Sequence, residues 1–226
     1  MHKGKNKLKD QLIESIREVR DEIENSSGAV TDQAKEHIND NDLILTYNCS
    51  ETLTDFFIAA SEEEELNFEV IVAETAPSFV GHKTAKELAE AGIPTSLVQD
   101  AAVFAVMSRV DKVIISAHGI MATGGIIATS GALLIAHAAK AHQVPVFVVG
   151  SLYKLTPLHP IDSLTYNELL SPSMIFREEE GDVGDKIEAI VPAYDYVPPK
   201  LVTLILTNQE GYTPDNIYRA FKELYG

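Results

Sequence analysis

Apolar residues recur at every third or fourth position near the start of the chain. Leu8, Leu12, Ile16, Val19 and Ile23 follow that spacing with charged residues between them, which predicts an amphipathic helix. Asn25-Ser26-Ser27-Gly28 predicts its end, and Ala29 to Ile38 predicts a second helix closed by Asn39-Asp40-Asn41-Asp42. A stripe of this kind needs a covering surface. Residues 1–40 therefore read as a helical segment, either the remnant of a longer helical domain or half of an interface.

From residue 42 the period changes. Short β-branched runs at 43–46, 68–73, 95–98, 112–116 and 144–149 alternate with helical patterns at 51–61, 81–91, 100–108 and 131–142. Fully apolar runs alternating with helices predict a mainly parallel sheet covered on both faces. Right-handed crossovers make it a doubly wound α/β sheet of the Rossmann type over residues 41–226. Ligands of such sheets bind at the carboxyl ends of the strands, which directs attention to the loops at 46–50, 74–81, 99–100, 117–130 and 150–160. Residues 150–190 read as a long excursion with short elements, including the acidic stretch Glu178 to Asp182. Residues 201–207 predict a further strand. A final helix is expected with Thr213 as its cap, Pro214 at its first position, and Ile217, Phe221 and Leu224 as its apolar face.

Charge narrows the partners. Eighteen Lys and Arg against 34 Asp and Glu give a net charge of −16, which disfavours broad contact with nucleic acid or anionic membrane. No apolar run reaches the ~18 residues of a membrane span, and MHKGKNKLKD has no apolar signal core. One cysteine excludes an internal disulfide framework and a Cys-based zinc cluster. No metal site or cofactor is expected, and the composition reads as a cytosolic or nuclear protein with an acidic surface.

The strand ends carry the candidate chemistry. Cys49 stands just past the first strand, where a nucleophile would stand, but with no His or Lys adjacent in sequence it reads first as a half-buried spectator thiol. His118 to Gly125 is glycine-rich between a strand and a helix, which suits backbone approach to an anion or a packing turn. Thr129-Ser130-Gly131 fits either a helix cap or an anion site. Asp100 is expected to sit against the positive end of the helix that it opens. Glu74 and Asp195 each fit a catalytic or a structural role. His137 and His142 are five apart and do not share a helical face, and Glu62 to Glu65 reads as a solvated helix end.

NDLILTY, VIVAETAP with GHKTAKELAEAGIPT, DAAVFAVMSRVDKVII, the Ala122–Gly131 loop with HAAKAHQVPVFVV, and PAYDYVPPKLVTLILTN together resemble the regulatory subunits of eukaryotic translation initiation factor 2B. DAAVFAVMSRVDKV, YDYVPPKLVTL and IYRAFKELY are most similar to the beta branch of that family. The resemblance implies a non-catalytic part of a guanine-nucleotide exchange complex. Its implied partners are a delta subunit, the other subunits of the complex, and the alpha subunit of initiation factor 2. An isolated domain could pair with itself as a homodimer.

The superfamily also contains sugar-phosphate isomerases, which implies a second reading: an isomerase or a sugar-phosphate sensor. By that resemblance the catalytic Cys position falls on Asn48, the catalytic Asp on Gly125, and two phosphate-gripping Arg residues on Ala76 and Lys83. Cys49 lies one residue late, and neighbouring side chains at a strand end point to opposite sides. A vestigial pocket is expected at Asn48, Ala76, Lys83 and Gly125, with any anion held at Gly81, Gly124 and Ser130. The resemblance places the subunit interface at Asn41, Leu43, Glu69, Ile71, Ser96 and Val98, with Tyr194, Asp195 and Tyr196 as a second contact region.

Overall fold

The computed structural model describes residues 2–62, 66–158, 167–176 and 187–226. In chain order the helices and strands are α1 (His2–Thr31), α2 (Ala34–His37), β1 (Leu43–Tyr47), α3 (Glu51–Ser61), β2 (Glu69–Ala73), α4 (Gly81–Glu90), β3 (Thr95–Val98), α5 (Val103–Val106), β4 (Lys112–Ser116), β5 (Gly119–Met121), β6 (Ile126–Thr129), α6 (Ala132–His142), β7 (Val146–Val149), β8 (Leu155–Thr156), β9 (Tyr194–Val197), β10 (Leu204–Leu206), β11 (Gly211–Tyr212) and α7 (Ile217–Tyr225). The large sheet runs β11-β10-β7-β4-β1-β2-β3. All its pairings are parallel except β10 with β11. This is the expected doubly wound α/β architecture.

Alternation along the strands divides the core into two layers. Leu45, Tyr47, Ile71, Val113, Ile115 and Val148 face α6 and the Val103–Met107 region. Ile44, Val70, Val72 and Ile114 face Val30, Ala34 and Ile38 of the amino-terminal segment and Leu53, Phe56 and Phe57 of α3. The last turns of α1 thus belong to the core of the α/β unit. No helix among the described residues is long and apolar enough to cross a membrane.

Several expectations are corrected. Asn25 to Gly28 does not end the first helix, because α1 runs on to Thr31. Ser26 Oγ donates to Ile23 O at 2.8 Å and Thr31 Oγ1 to Ser27 O at 2.9 Å, so these polar side chains bond back along the helix instead of breaking it. The stretch 100–108 is no single helix: Asp100–Ala102 and Met107–Arg109 are 3-10 turns flanking the one-turn α5. The loop at 117–130 contains a hairpin, β5 and β6, within a second sheet ordered β8-β5-β6-β9. In the tail, Pro199–Leu201 forms a 3-10 turn and the strand is confined to Leu204–Leu206. The last helix starts at Ile217, behind a turn in which Asn216 N–H bonds Thr213 O. Ile217 is buried and Leu224 exposed, so the expected apolar face is only partly covered. Glu63 to Glu65 and Glu178 to Asp182 lie outside the described residues.

One buried ion pair fixes the amino-terminal segment to the sheet. Lys112 Nζ lies 2.7 Å from Asp42 Oδ2 and donates to His37 O at 2.7 Å, with both side chains almost wholly enclosed. Asp42 Oδ2 also accepts from Asn39 N–H at 2.6 Å. Removing one member of such a pair strands the other charge without water. Lys112→Met is expected to lower unfolding free energy by about 3–5 kcal/mol, measured by urea denaturation. A loss below 1 kcal/mol would show that the pair does not anchor the segment.

Candidate functional site

At the carboxyl end of β1, Asn48 adopts a left-handed φ of +76°. Its N–H donates to Thr75 Oγ1 at 3.0 Å, and its carbonyl accepts from Thr84 Oγ1 at 3.0 Å. The position implied for a nucleophile is a turn that ties β1 to the next loop and to α4. Cys49 is a half-buried free thiol.

The loop after β2 is held by Asp100. Its Oδ1 accepts Thr75 N–H at 3.0 Å and its Oδ2 accepts Ala76 N–H at 2.7 Å. The expectation that Asp100 serves the helix that it opens is corrected: the carboxylate clamps a neighbouring loop, where it satisfies two backbone donors at once. Gly81 follows from packing, since a Cβ there would lie 2.1 Å from Ala73 O. Lys83 is exposed, with its ammonium 3.5 Å from Glu87 one turn along α4.

The loop before α6 is filled by the protein's own groups. Asp195, on β9, accepts Gly131 N–H at 2.8 Å and Leu133 N–H at 3.0 Å through Oδ2. A carboxylate at this helix end satisfies orphan donors and the positive helix terminus together. Ser130 N–H donates to Ala193 O at 2.9 Å, and Ser130 O accepts the Tyr47 hydroxyl. Gly131 has φ of +107°, and a Cβ on it would meet the Tyr47 hydroxyl at 2.1 Å, so glycine is required there. Gly124 backs onto Pro214 O in the same way, at 2.3 Å. At Gly125 a Cβ would lie 2.3 Å from the Tyr196 ring. The space that a catalytic Asp side chain would need is occupied by that ring.

Tyr47 went unnoticed in the sequence. It is buried, and burial first, then the charges of Asp100 and Asp195, push its hydroxyl above the usual tyrosine range. The two carboxylates border one cavity of about 700 Å³ with Phe104, Leu133, Leu134 and His137. Phe104 and Leu134 are themselves exposed. The only sequence signal for these contacts is an aromatic at a strand end and a Gly that precedes a helix.

The interface candidates gather in part. Strand register places Leu43 beside Glu69, Ile71 beside Ser96, and Val98 beside Ala73, so Leu43, Glu69, Ile71, Ser96 and Val98 share one face of the sheet. Ile71 is buried, Leu43 and Val98 pack partly against the core, and Glu69 and Ser96 are exposed. Asn41, at φ of +63°, lies just ahead of β1. Tyr194, Asp195 and Tyr196 lie on the second sheet, where Tyr194 stacks on His118 with ring centroids 4.4 Å apart. Among the described residues no cluster of His, Cys, Asp and Glu could hold a metal ion.

Two outcomes are expected. Tyr47 is favoured as the neutral phenol in the fold, so its contribution is intact below the unfolded tyrosine pKa of about 10 and is lost as pH rises past it. Stability curves of wild type and Tyr47→Phe should therefore converge on the alkaline side; a constant gap to pH 11 would refute this. Gly125→Ala should cost about 1–3 kcal/mol through overpacking, and the Gly125→Ala/Tyr196→Ala pair should cost less than the sum of the singles. Strict additivity in denaturant melts would show that the ring does not fill the site.

The model of the initiation factor 2 subunit family matches residues 1–214. The chain is 46% identical over 219 residues to translation initiation factor eIF2B subunit beta of Dictyostelium discoideum, covering 97% of this chain and 56% of that protein. It is 31% identical to ribose 1,5-bisphosphate isomerase of Pyrococcus furiosus, covering 97% of this chain and 68% of the isomerase. The crystal structure of the tetrameric eIF2B-beta2-delta2 complex from C. thermophilum contains a chain that superposes with a TM-score of 0.74 at 27% identity, covering 96% of this chain and 66% of that one. The chain thus spans little more than half the length of its beta-type relative. By its sequence and its fold it belongs to the initiation factor 2 subunit family.

Proposed function

We propose that this chain acts as a non-catalytic regulatory module of the beta type in the eIF2B guanine-nucleotide exchange complex. It assembles with a delta subunit and helps the complex read the phosphorylation state of the alpha subunit of initiation factor 2 in the cytoplasm. One observation carries the reading: the groups at the strand ends that could serve a substrate are already engaged by the protein itself. Tyr196 covers Gly125, Asp195 takes the free N–H groups of α6, and Lys83 lies against Glu87. An isomerase needs a group there to move a proton and cations to grip phosphate. A carboxylate at the anion position repels a phosphate instead. Similarity to a beta subunit over nearly the whole chain supports the same reading.

The contact with delta is assigned to the exposed end of the large sheet. Glu69, Ser96 and Val98 lie on one face of β2 and the edge strand β3, and the exposed Phe104 and Leu134 line the cavity at Asp100, two residues past β3. An uncovered apolar group of this kind next to an edge strand marks a protein contact. Residues 1–40 act as the helical attachment and residues 41–226 as the regulatory domain, with neither nucleic acid nor membrane as a partner.

Mixing with purified delta subunit should give a 1:1 heterodimer by light scattering. Asn41→Asp/Ser96→Glu should weaken it at least tenfold without changing the melting temperature. Indifference to delta would sink the proposal, and unchanged affinity of the double variant would move the interface elsewhere. Ribose 1,5-bisphosphate should show neither turnover nor calorimetric heat. Turnover abolished by Cys49→Ala would establish the isomerase reading instead.

A further inference from the structure

Away from the strand-end pocket, a groove of about 760 Å³ runs between α1, the turn after β7 and the end of α7. Val19, Ile23, Tyr153, Leu224 and Tyr225 line it, and each is between 42% and 58% exposed. Five large apolar side chains converging from three separate elements exceed the scattered exposure of an ordinary surface. Leu152, buried at the back of the groove, gives it an apolar floor.

The rim has one sign of charge. Glu18, Asp21 and Glu22 line it, and no Lys or Arg does. Arg20 is drawn to Asp21 at 2.9 Å and Glu24 at 3.5 Å, which leaves Glu18 and Glu22 without an ion pair among the described residues. An acidic rim over an apolar floor is complementary to an amphipathic segment whose apolar side chains are flanked by Lys or Arg. The whole chain is acidic, and the strand-end cavity also pairs carboxylates with exposed Phe104 and Leu134, but its Asp100 and Asp195 are committed to backbone N–H groups, which the acids of this groove are not.

We infer that this groove is a docking site for a basic amphipathic helix of a partner protein. The apolar side chains supply affinity by leaving water. The carboxylates select cationic flanks and speed encounter at low salt. The site is separate from the sheet end assigned to delta, so occupancy of one leaves the other open.

The test uses a fourteen-residue helical peptide with Leu at i, i+4 spacing and Lys elsewhere, against its Leu/Glu counterpart, followed by fluorescence anisotropy. The Leu/Lys peptide is expected to bind at least tenfold more tightly than the Leu/Glu peptide. Ile23→Ser/Tyr225→Ser should weaken it at least tenfold. Glu18→Lys/Glu22→Lys should reverse the preference, whereas Glu90→Lys/Glu188→Lys, with the same change in net charge elsewhere, should keep it. Equal effects of the two charge pairs, or none from the apolar pair, would reduce the binding to general attraction and overturn the inference. A concentration-dependent dimer in sedimentation that Ile23→Ser abolishes would also overturn it, because the groove would then belong to a second copy.

Discussion

The carboxylate of Asp195 ties the small sheet to the amino end of α6, beside the β6–β9 ladder and the Ser130 contacts that meet at the same joint. It sits on β9 of the small sheet and bonds the first N–H groups of α6, which packs across the large sheet. Helix amino ends leave their first donors unsatisfied, and a buried helix end without partners is costly. The chain supplies the partner from a distant strand. That choice fixes where β9 lies, and β9 in turn sets Tyr196 over Gly125 and pairs the small sheet's hairpin through β6. Tyr47 then closes the joint from the large sheet by bonding Ser130, which requires glycine at 131.

Asp100 works by the same rule one strand further along. Both of its oxygens are engaged by Thr75 and Ala76, so the carboxylate that might have served chemistry serves backbone donors. Burial, and after it the charges of the two acids, favour the protonated Tyr47 hydroxyl and so the hydrogen bond that it donates. Chemistry at these strand ends would require at least one of these groups to be released. Each is tied to a different loop, so release would loosen the scaffold as well as open the pocket. In a fold similar to that of a sugar-phosphate isomerase, the strand-end carboxylates are thus satisfied by the chain's own backbone donors.

Much of the scaffold was legible. The strands at 95–98 and 112–116 and the helix at 51–61 fall where the apolar pattern put them, because short β-branched runs bounded by turn residues have few other readings. Interpretation failed where a short element depends on a partner far away. β5, β6 and β9 have three or four residues each, too few for a period, and exist only through their mutual ladder. Asn25-Ser26-Ser27-Gly28 looked like a stop, since nothing in sequence says that the hydroxyls of Ser26 and Thr31 will bond back to their own helix. Gly125 was legible as a missing carboxylate but not as a place that Tyr196 fills. The link between Asp195 and Gly131 joins residues 64 apart, and only the fold brings them together.

The sheet edge and the closed pocket are not independent. β3 ends at Val98, whose carbonyl accepts Glu74 N–H at 2.9 Å, and two residues later Asp100 grips Thr75 and Ala76. Val98 also shares a row with Ala73 and Tyr47 across the sheet. A protein bound along the edge would bear on the segment that orients Asp100 and, through Tyr47, on the amino end of α6. In an enzyme, that route would connect a subunit contact to the reacting groups. Here the same route ends in the backbone hydrogen bonds of Asp100 and Asp195, so contact at the edge bears on the joint beside the cavity that these two carboxylates border. The polar interactions of this joint are made between distant parts of the chain itself, which is why edge, loop and helix end are mechanically one unit.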